Sequence, residues 1–152
     1  MKKLQFDINK CVACRTCELV CCTGHSVSRD LFKALKEKDI SLPRIKVSVS
    51  KKKHYPVACR HCDDPKCVDA CMSAALTKDS ETGKVLYDKD KCVGCWMCVM
   101  VCPYGAIRPD KKVKIPVRCD YCVDIGEPQC AAKCPVKAIV WVEEEELEKV
   151  KK

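Results

Sequence analysis

Cys92-Val93-Gly94-Cys95-Trp96-Met97-Cys98-Val99-Met100-Val101-Cys102-Pro103 is the stretch that decides how this 152-residue chain is read. Three cysteines at two-residue gaps let a tight loop wrap one cube-shaped iron–sulfur cluster. The fourth falls about one helical turn later, faces away from that loop, and is followed by Pro, a spacing known from proteins that ligate a second cluster with it.

Working outward, the same spacing recurs at Cys11, Cys14, Cys17 and Cys21. Two further groups are expanded: Cys59, Cys62, Cys67 and Cys71, then Cys119, Cys122, Cys130 and Cys134. The expanded groups match outside their cysteines, because Pro56-Val57-Ala58-Cys59 parallels Pro116-Val117-Arg118-Cys119. Each also carries a Pro two residues before its third Cys, Pro65 and Pro128. The order compact–expanded therefore occurs twice, which reads as an internal duplication. Between Cys21 and Cys59 lie 37 residues, and between Cys102 and Cys119 only 16, so the first half carries an insertion.

Composition supports a metal-held interior. Hydrophobic residues make up 47% of the chain, but this includes 17 Cys. Without them the apolar share is about a third, below a typical globular domain. Small proteins with so little core material rely on disulfides or metal. The first residues show no apolar signal core, no stretch is long enough to span a bilayer, and the cysteine count is odd. These features favour reduced thiols, metal and a cytoplasmic protein. Zinc sites usually offer two Cys pairs across a longer spacer, so the repeated close third Cys and the Cys-Pro endings fit iron–sulfur better. The formal charge is +8. Four cubanes, each about −2 with its four thiolates, would cancel it, which weakens the case for a nucleic-acid partner.

Local patterns predict a short helix from Ser28 to about Lys38 with Leu31, Leu35 and Phe32 inward, then a strand over 44–50. Further strands are expected at Val85–Tyr87, Ile115–Val117 and Ala138–Val142, with a turn at Glu81-Thr82-Gly83-Lys84 and an exposed helix over 143–152. His25, His54 and His61 read as surface or loop residues, and Trp96 and Tyr104 as shields between clusters and water. Lys51-Lys52-Lys53 and Lys111-Lys112 read as docking charges or as plain solvated runs. No dinucleotide fingerprint, phosphate loop or catalytic acid–base set is visible. Cys22 reads as a small core residue, with an alternative ligand to Cys21 or a redox-sensitive thiol as the other readings. Met72 stands where a Pro often follows the fourth Cys, which alters only the local turn.

The chain resembles the iron–sulfur electron-transfer subunits with four [4Fe-4S] clusters that serve dimethyl sulfoxide reductase, formate dehydrogenase, hydrogenase and carbon monoxide dehydrogenase. Cys59-Arg60-His61-Cys62 with Asp64-Pro65-Lys66-Cys67 carries the likeness. Cys17-Glu18-Leu19-Val20-Cys21 with Gly24-His25-Ser26 looks closest to partners of carbon monoxide dehydrogenase and hydrogenase. The resemblance implies nested pairing of the groups. One cluster would take Cys11, Cys14, Cys17 and Cys134; its neighbour Cys119, Cys122, Cys130 and Cys21. The other lobe would use Cys59, Cys62, Cys67 and Cys102, with Cys92, Cys95, Cys98 and Cys71. The implied fold is α+β: two dicluster ferredoxin lobes related by a pseudo-twofold. They would comprise residues 1–25 with 106–152, and residues 52–105, with an insertion at 26–51. The implied role is a relay of single electrons, without a catalytic site of its own. Its partners would be a dehydrogenase donor, such as carbon monoxide dehydrogenase, and a hydrogenase or nicotinamide-reducing acceptor in a hetero-complex. A freestanding polyferredoxin is the alternative, and an iron–sulfur regulatory or nucleic-acid-binding protein the weakest.

Overall fold

The computed structural model describes residues 2–50 and 53–143. The expectation of an α+β fold holds, built from short pieces. Among the described residues, eight strands form four separate two-stranded antiparallel sheets, and five short helices pack between them.

The two ends of the described chain meet in one sheet. Strand β1 (Lys2–Phe6) pairs with β8 (Ile139–Glu143), setting Leu4 opposite Trp141 and Phe6 opposite Ile139. Its counterpart is the hairpin of β4 (Leu76–Lys78) and β5 (Val85–Tyr87). The two sheets occupy equivalent places in the repeat. Phe6 and Tyr87 each end a strand five residues before the first Cys of a compact group, Cys11 or Cys92. Leu76 and Ile139 each begin a strand five residues after the last Cys of an expanded group, Cys71 or Cys134. The turn expected at Glu81–Lys84 closes the β4–β5 hairpin, with Asp79 accepting from the backbone N–H groups of Glu81 and Thr82.

Each compact group runs into a helix: α1 (Thr16–Gly24) after Cys14 and α4 (Met97–Val101) after Cys95. Each expanded group starts a one-turn helix straight after its Pro: α3 (Lys66–Asp69) after Pro65 and α5 (Gln129–Ala132) after Pro128. Helix α1 packs on α5, and α3 on α4. A larger core gathers Leu4, Ile45, Val47, Ala58, Tyr121 and Ile139 around buried cysteines. A smaller one joins Leu76, Val85, Ile107 and Cys98.

The two remaining hairpins cross over. Strand β2 (Ile45–Ser50) pairs with β3 (Lys53–Ala58), and β6 (Arg108–Asp110) with β7 (Ile115–Val117). The alternation expected over 44–50 holds for the first part of the strand, where Ile45 and Val47 are buried and Lys46 faces solvent, but Val49 is exposed. The Val47 N–H donates to a Glu18 carboxylate oxygen at 2.6 Å, tying β2 to α1. Strand β3 stands just before the second Cys group yet buries Ala58 in the first core. The turn after β6 lies against the third group in the same exchanged sense, with the Lys114 carbonyl beside Gly94.

That approach gives a test. Gly94 has φ +67, and a Cβ there would stand 2.6 Å from the Lys114 carbonyl oxygen. Gly94→Ala is expected to destabilise the holo protein by about 1–3 kcal/mol through backbone strain alone, with the clash adding to it. Thermal melting under anaerobic conditions reads the effect, and an unchanged midpoint would contradict the local packing.

Two expectations about the insertion are corrected. Its helix, α2, spans only Leu31–Ala34, and its N-cap is Asp30, whose side chain accepts from the Lys33 N–H. Ser28 instead donates to Glu37. Only Ala34 of α2 is buried, whereas Phe32 is 74% and Leu35 62% exposed. A helix of one turn has room for a single inward position, so these two apolar residues are left outside. The helix expected over 143–152 falls, beyond Glu143, outside the described residues, as do Lys51 and Lys52.

Candidate metal centres

The four Cys-x-x-Cys loops share a backbone device. Ala13 and Arg15 in the first loop, and Gly94 and Trp96 in the third, all have positive φ. His61 and Tyr121 do so at the third position of the expanded loops. Ala74, Gly105 and Lys137 repeat it three residues after Cys71, Cys102 and Cys134. Holding non-glycine residues left-handed costs about 1–3 kcal/mol each, and such strain collects at ligand clamps. It also turns successive N–H groups to one side, making the concave nests that receive anions and iron–sulfur groups.

The side chains converge across the halves. One cavity is lined by Cys11, Cys14, Cys17 and Cys134, covered by Val47 and Pro56 of the β2–β3 hairpin. Another is lined by Cys92, Cys95, Cys98 and Cys71, with Trp96 and Pro116 of β7 at its wall. A third, of about 630 Å³, holds Cys59, Cys62, Cys67 and Cys102, with Tyr104 at its edge under the Arg60 guanidinium, 4.3 Å from the ring centroid. Cys119, Cys122 and Cys130 stand buried beside Cys21, close enough for Cys21 to raise the charge cost of both Cys119 and Cys130. In each of these three cavities three cysteines come from one group and the fourth from another.

Several of the thiols are poor anions unless something replaces their protons, whereas hydrogen bonding lowers Cys14, and at Cys71 burial is outweighed by hydrogen bonding, which lowers it. Burial pushes Cys17 up to about 12 and Cys98 up to about 11, and raises Cys119 and Cys130 further. Iron removes that difficulty by taking the thiolate directly and releasing the proton. Backbone donors already point at sulfur: the Arg44 N–H to Cys21 Sγ at 3.1 Å and the Tyr121 N–H to Cys119 Sγ at 3.4 Å. Groups of soft sulfur donors gathered in this way fit [4Fe-4S] clusters.

Exposure differs between the sets, and Cys62, Cys67 and Cys102 are half-buried. Cys14 and Cys95, in the compact groups, are exposed, whereas Cys59, Cys119, Cys122 and Cys130 are buried. The two expanded loops touch each other: Tyr121 stacks on His61 at 4.0 Å, and its hydroxyl donates to the Arg60 carbonyl at 3.4 Å. The sets therefore run compact, expanded, expanded, compact.

Two of the histidines expected at the surface or in loops lie in loops but point inside. His61 is 1% exposed, its Nδ1 accepting from the Val85 N–H at 3.0 Å. Burial and then Arg118 hold its imidazole down to about 3, so it is neutral. The His25 side chain is 7% exposed and sits 3.2 Å from Asp120, which also pairs with Arg44. Burial opposes the Asp120 charge, and His25 and Arg44 more than offset this, holding the carboxyl well below its usual range. His25, Asp120 and Cys122 stand close enough to suggest a mononuclear metal site. Asp120 is already bonded to both His25 and Arg44, and Cys122 stands buried in the loop of Cys119. Sequence reasoning could not place either histidine, because each is buried by a loop distant in sequence. Cys22 is half-buried on α1, beside Cys21 but not lining the three cavities above.

Comparison with known proteins agrees with this chemistry. Residues 50–144 match the family described as 4Fe-4S dicluster domain. The chain is 33% identical to "Electron transport protein HydN" of Escherichia coli strain K12, over 95% of this chain and 89% of that one. It is 35% identical to "Iron-sulfur protein" of Rhodospirillum rubrum, over 88% and 77%. It is 32% identical to "Probable anaerobic dimethyl sulfoxide reductase chain YnfG" of Escherichia coli strain K12, over 93% and 73%. Its fold is similar to a chain in the structure titled "Active site complex BamBC of Benzoyl Coenzyme A reductase as isolated", with TM-score 0.53 and 20% identity, over 99% of this chain and 86% of that one. With four cysteine sets folded as above and relatives of this kind along nearly its whole length, the chain belongs to the 4Fe-4S dicluster family of iron–sulfur electron-transport proteins.

Proposed function

We propose that this protein holds four [4Fe-4S] clusters in a row on the sixteen cysteines of the four sets, and relays single electrons between two docked redox enzymes. The order of the sets is the observation that carries the reading. The two expanded sets meet in the middle, with Cys59, Cys119, Cys122 and Cys130 buried, and each compact set brings one exposed cysteine, Cys14 or Cys95, to an end of the order. Val12 and Val93 follow the first Cys of the two compact groups and are 60% and 72% exposed, leaving an apolar lip beside each outer site for a partner to cover. When bound, the clusters supply one-electron carriers; thiolate ligation on every iron leaves no site for substrate. The polypeptide fixes their spacing, shields the set on Cys119, Cys122, Cys130 and Cys21 from water and supplies compensating charge. We assign residues 1–25 with 106–152, and 52–105, to the two lobes, with 26–51 as the insertion.

The partners we infer are a dehydrogenase, carbon monoxide dehydrogenase being one candidate, and a hydrogenase or nicotinamide-reducing enzyme in the cytoplasm. Support comes from the resemblance at Cys17–Ser26 and from relatives named as electron-transport proteins or as a chain of a reductase. Among the described residues no helix is long and apolar enough to cross a membrane. Anaerobic purification is expected to yield about sixteen irons and sixteen sulfides per chain, from four per cubane. Holo protein used as bait should retain one large redox enzyme at each end. Eight irons, or exchange of electrons with many enzymes without stable binding, would contradict the assignment or favour a freestanding carrier.

A further inference from the structure

The duplication makes the two inner sites equivalent, and one residue breaks the equivalence. The position before the first Cys of each expanded group is Ala58 in one half and Arg118 in the other. Both are buried, at 1% and 5% exposure. The Arg118 guanidinium donates to the Val85 carbonyl at 2.8 Å and lies 3.7 Å from Cys59 Sγ, so it crosses from the fourth group to the second. Its charge is felt at Cys67 as well. Among the described residues no carboxylate pairs with it, and its Nε has no hydrogen-bond partner. A buried guanidinium without an anion would be costly. At the other inner site Ala58 provides only a methyl group; His25 lies 3.7 Å from Cys21 Sγ, but it and Arg44 are both tied to the Asp120 carboxylate, so no base there is left without a protein anion as Arg118 is.

We propose that Arg118 has the cluster on Cys59, Cys62, Cys67 and Cys102 as its counterion and makes it the higher-potential member of the inner pair. The reasoning is electrostatic. Each electron added makes a cluster more negative, and a fixed cation beside its sulfur favours the reduced form. Buried in low dielectric and screened little by salt, this cation acts far more strongly than a surface lysine. Arg118 thus turns a symmetric row into one with a preferred resting place for the electron, on the far side of the midline from Asp120. Arg118 is a positioning residue, since it binds no iron.

The inference rests on the ligand sets assigned above, and its test separates the two. Arg118→Met keeps volume and removes charge; Arg118→Lys keeps charge. Potentials of all clusters are read by EPR-monitored redox titration of the holo protein. Arg118→Met is expected to lower the reduction equilibrium constant of one cluster at least tenfold, which is 59 mV for one electron. The other three should move much less, and Arg118→Lys should restore most of the shift. Should Arg118→Met fail to fold, pulsed EPR on wild-type protein labelled with guanidinium-[15N]arginine decides. One cluster should couple to a guanidinium nitrogen, and Arg118→Lys should abolish that coupling. Sixteen irons with four unmoved potentials, an equal shift in all four, or no such coupling would overturn the Arg118 proposal alone. Fewer than sixteen irons in the wild-type chain would overturn the ligand sets, and the proposal with them.

Discussion

Cys14→Ala combined with Cys17→Ala is expected to lower bound iron from about sixteen to about twelve per chain, four per cubane, and the third substitution added then identifies the partner group. Adding Cys134→Ala should cost no further iron, because its sulfur lines the same cavity as Cys11, Cys14 and Cys17. Adding Cys21→Ala should strip or convert the neighbouring cluster, because Cys21 stands with Cys119 and Cys130 instead. The logic is that of a double-mutant cycle: substitutions in one site are redundant, and substitutions in two sites add. Iron analysis with EPR of each holo variant reads the outcome. The reverse pattern, Cys134 additive and Cys21 silent, would break the nested pairing.

Removing the metal should have the larger structural effect. Two small cores lie around the cysteines, and much of what they enclose is thiol. Four separate two-stranded sheets offer little independent stability, since an isolated pair of strands is marginal at best in water. The left-handed residues of the Cys loops add strain of about 1–3 kcal/mol each, which only bound ligand offsets. Treating the anaerobic holo protein with a strong iron chelator is therefore expected to unfold it as the visible absorbance bleaches. Circular dichroism and protease susceptibility should change together with iron loss. An apo chain that keeps its sheet signal and resists protease would show that the polypeptide folds on its own core.

Parts of the local structure were legible because they depend on neighbours in sequence. The strand at 44–50, with Ile45 and Val47 inward, follows from alternation, and the hairpin at 81–84 from its turn residues. The insertion helix was not legible in the same way. Phe32 and Leu35 fit an inward-facing helical pattern, but the chain turns out of helix after one turn, capped by Asp30, and leaves both exposed. Strands β1, β3 and β4 were missed, each too short or too charged to show a period on its own. They exist because a partner strand lies beside them, for β1 at the opposite end of the chain.

What the amino-acid sequence determined by itself is the chemistry: sixteen cysteines in four groups, repeated as compact and expanded, whose spacing alone suits cubane clusters. Ligand spacing is a local property, so it survives without knowledge of the fold. Only the tertiary structure decided which charges meet which sulfurs. Arg118 adjoins Cys119 in sequence yet its guanidinium reaches Cys59, and His25 reaches Asp120 across 95 positions. Electrostatic influence falls with distance in space, and a long side chain inside a folded core can put its charge beside a group far away along the chain.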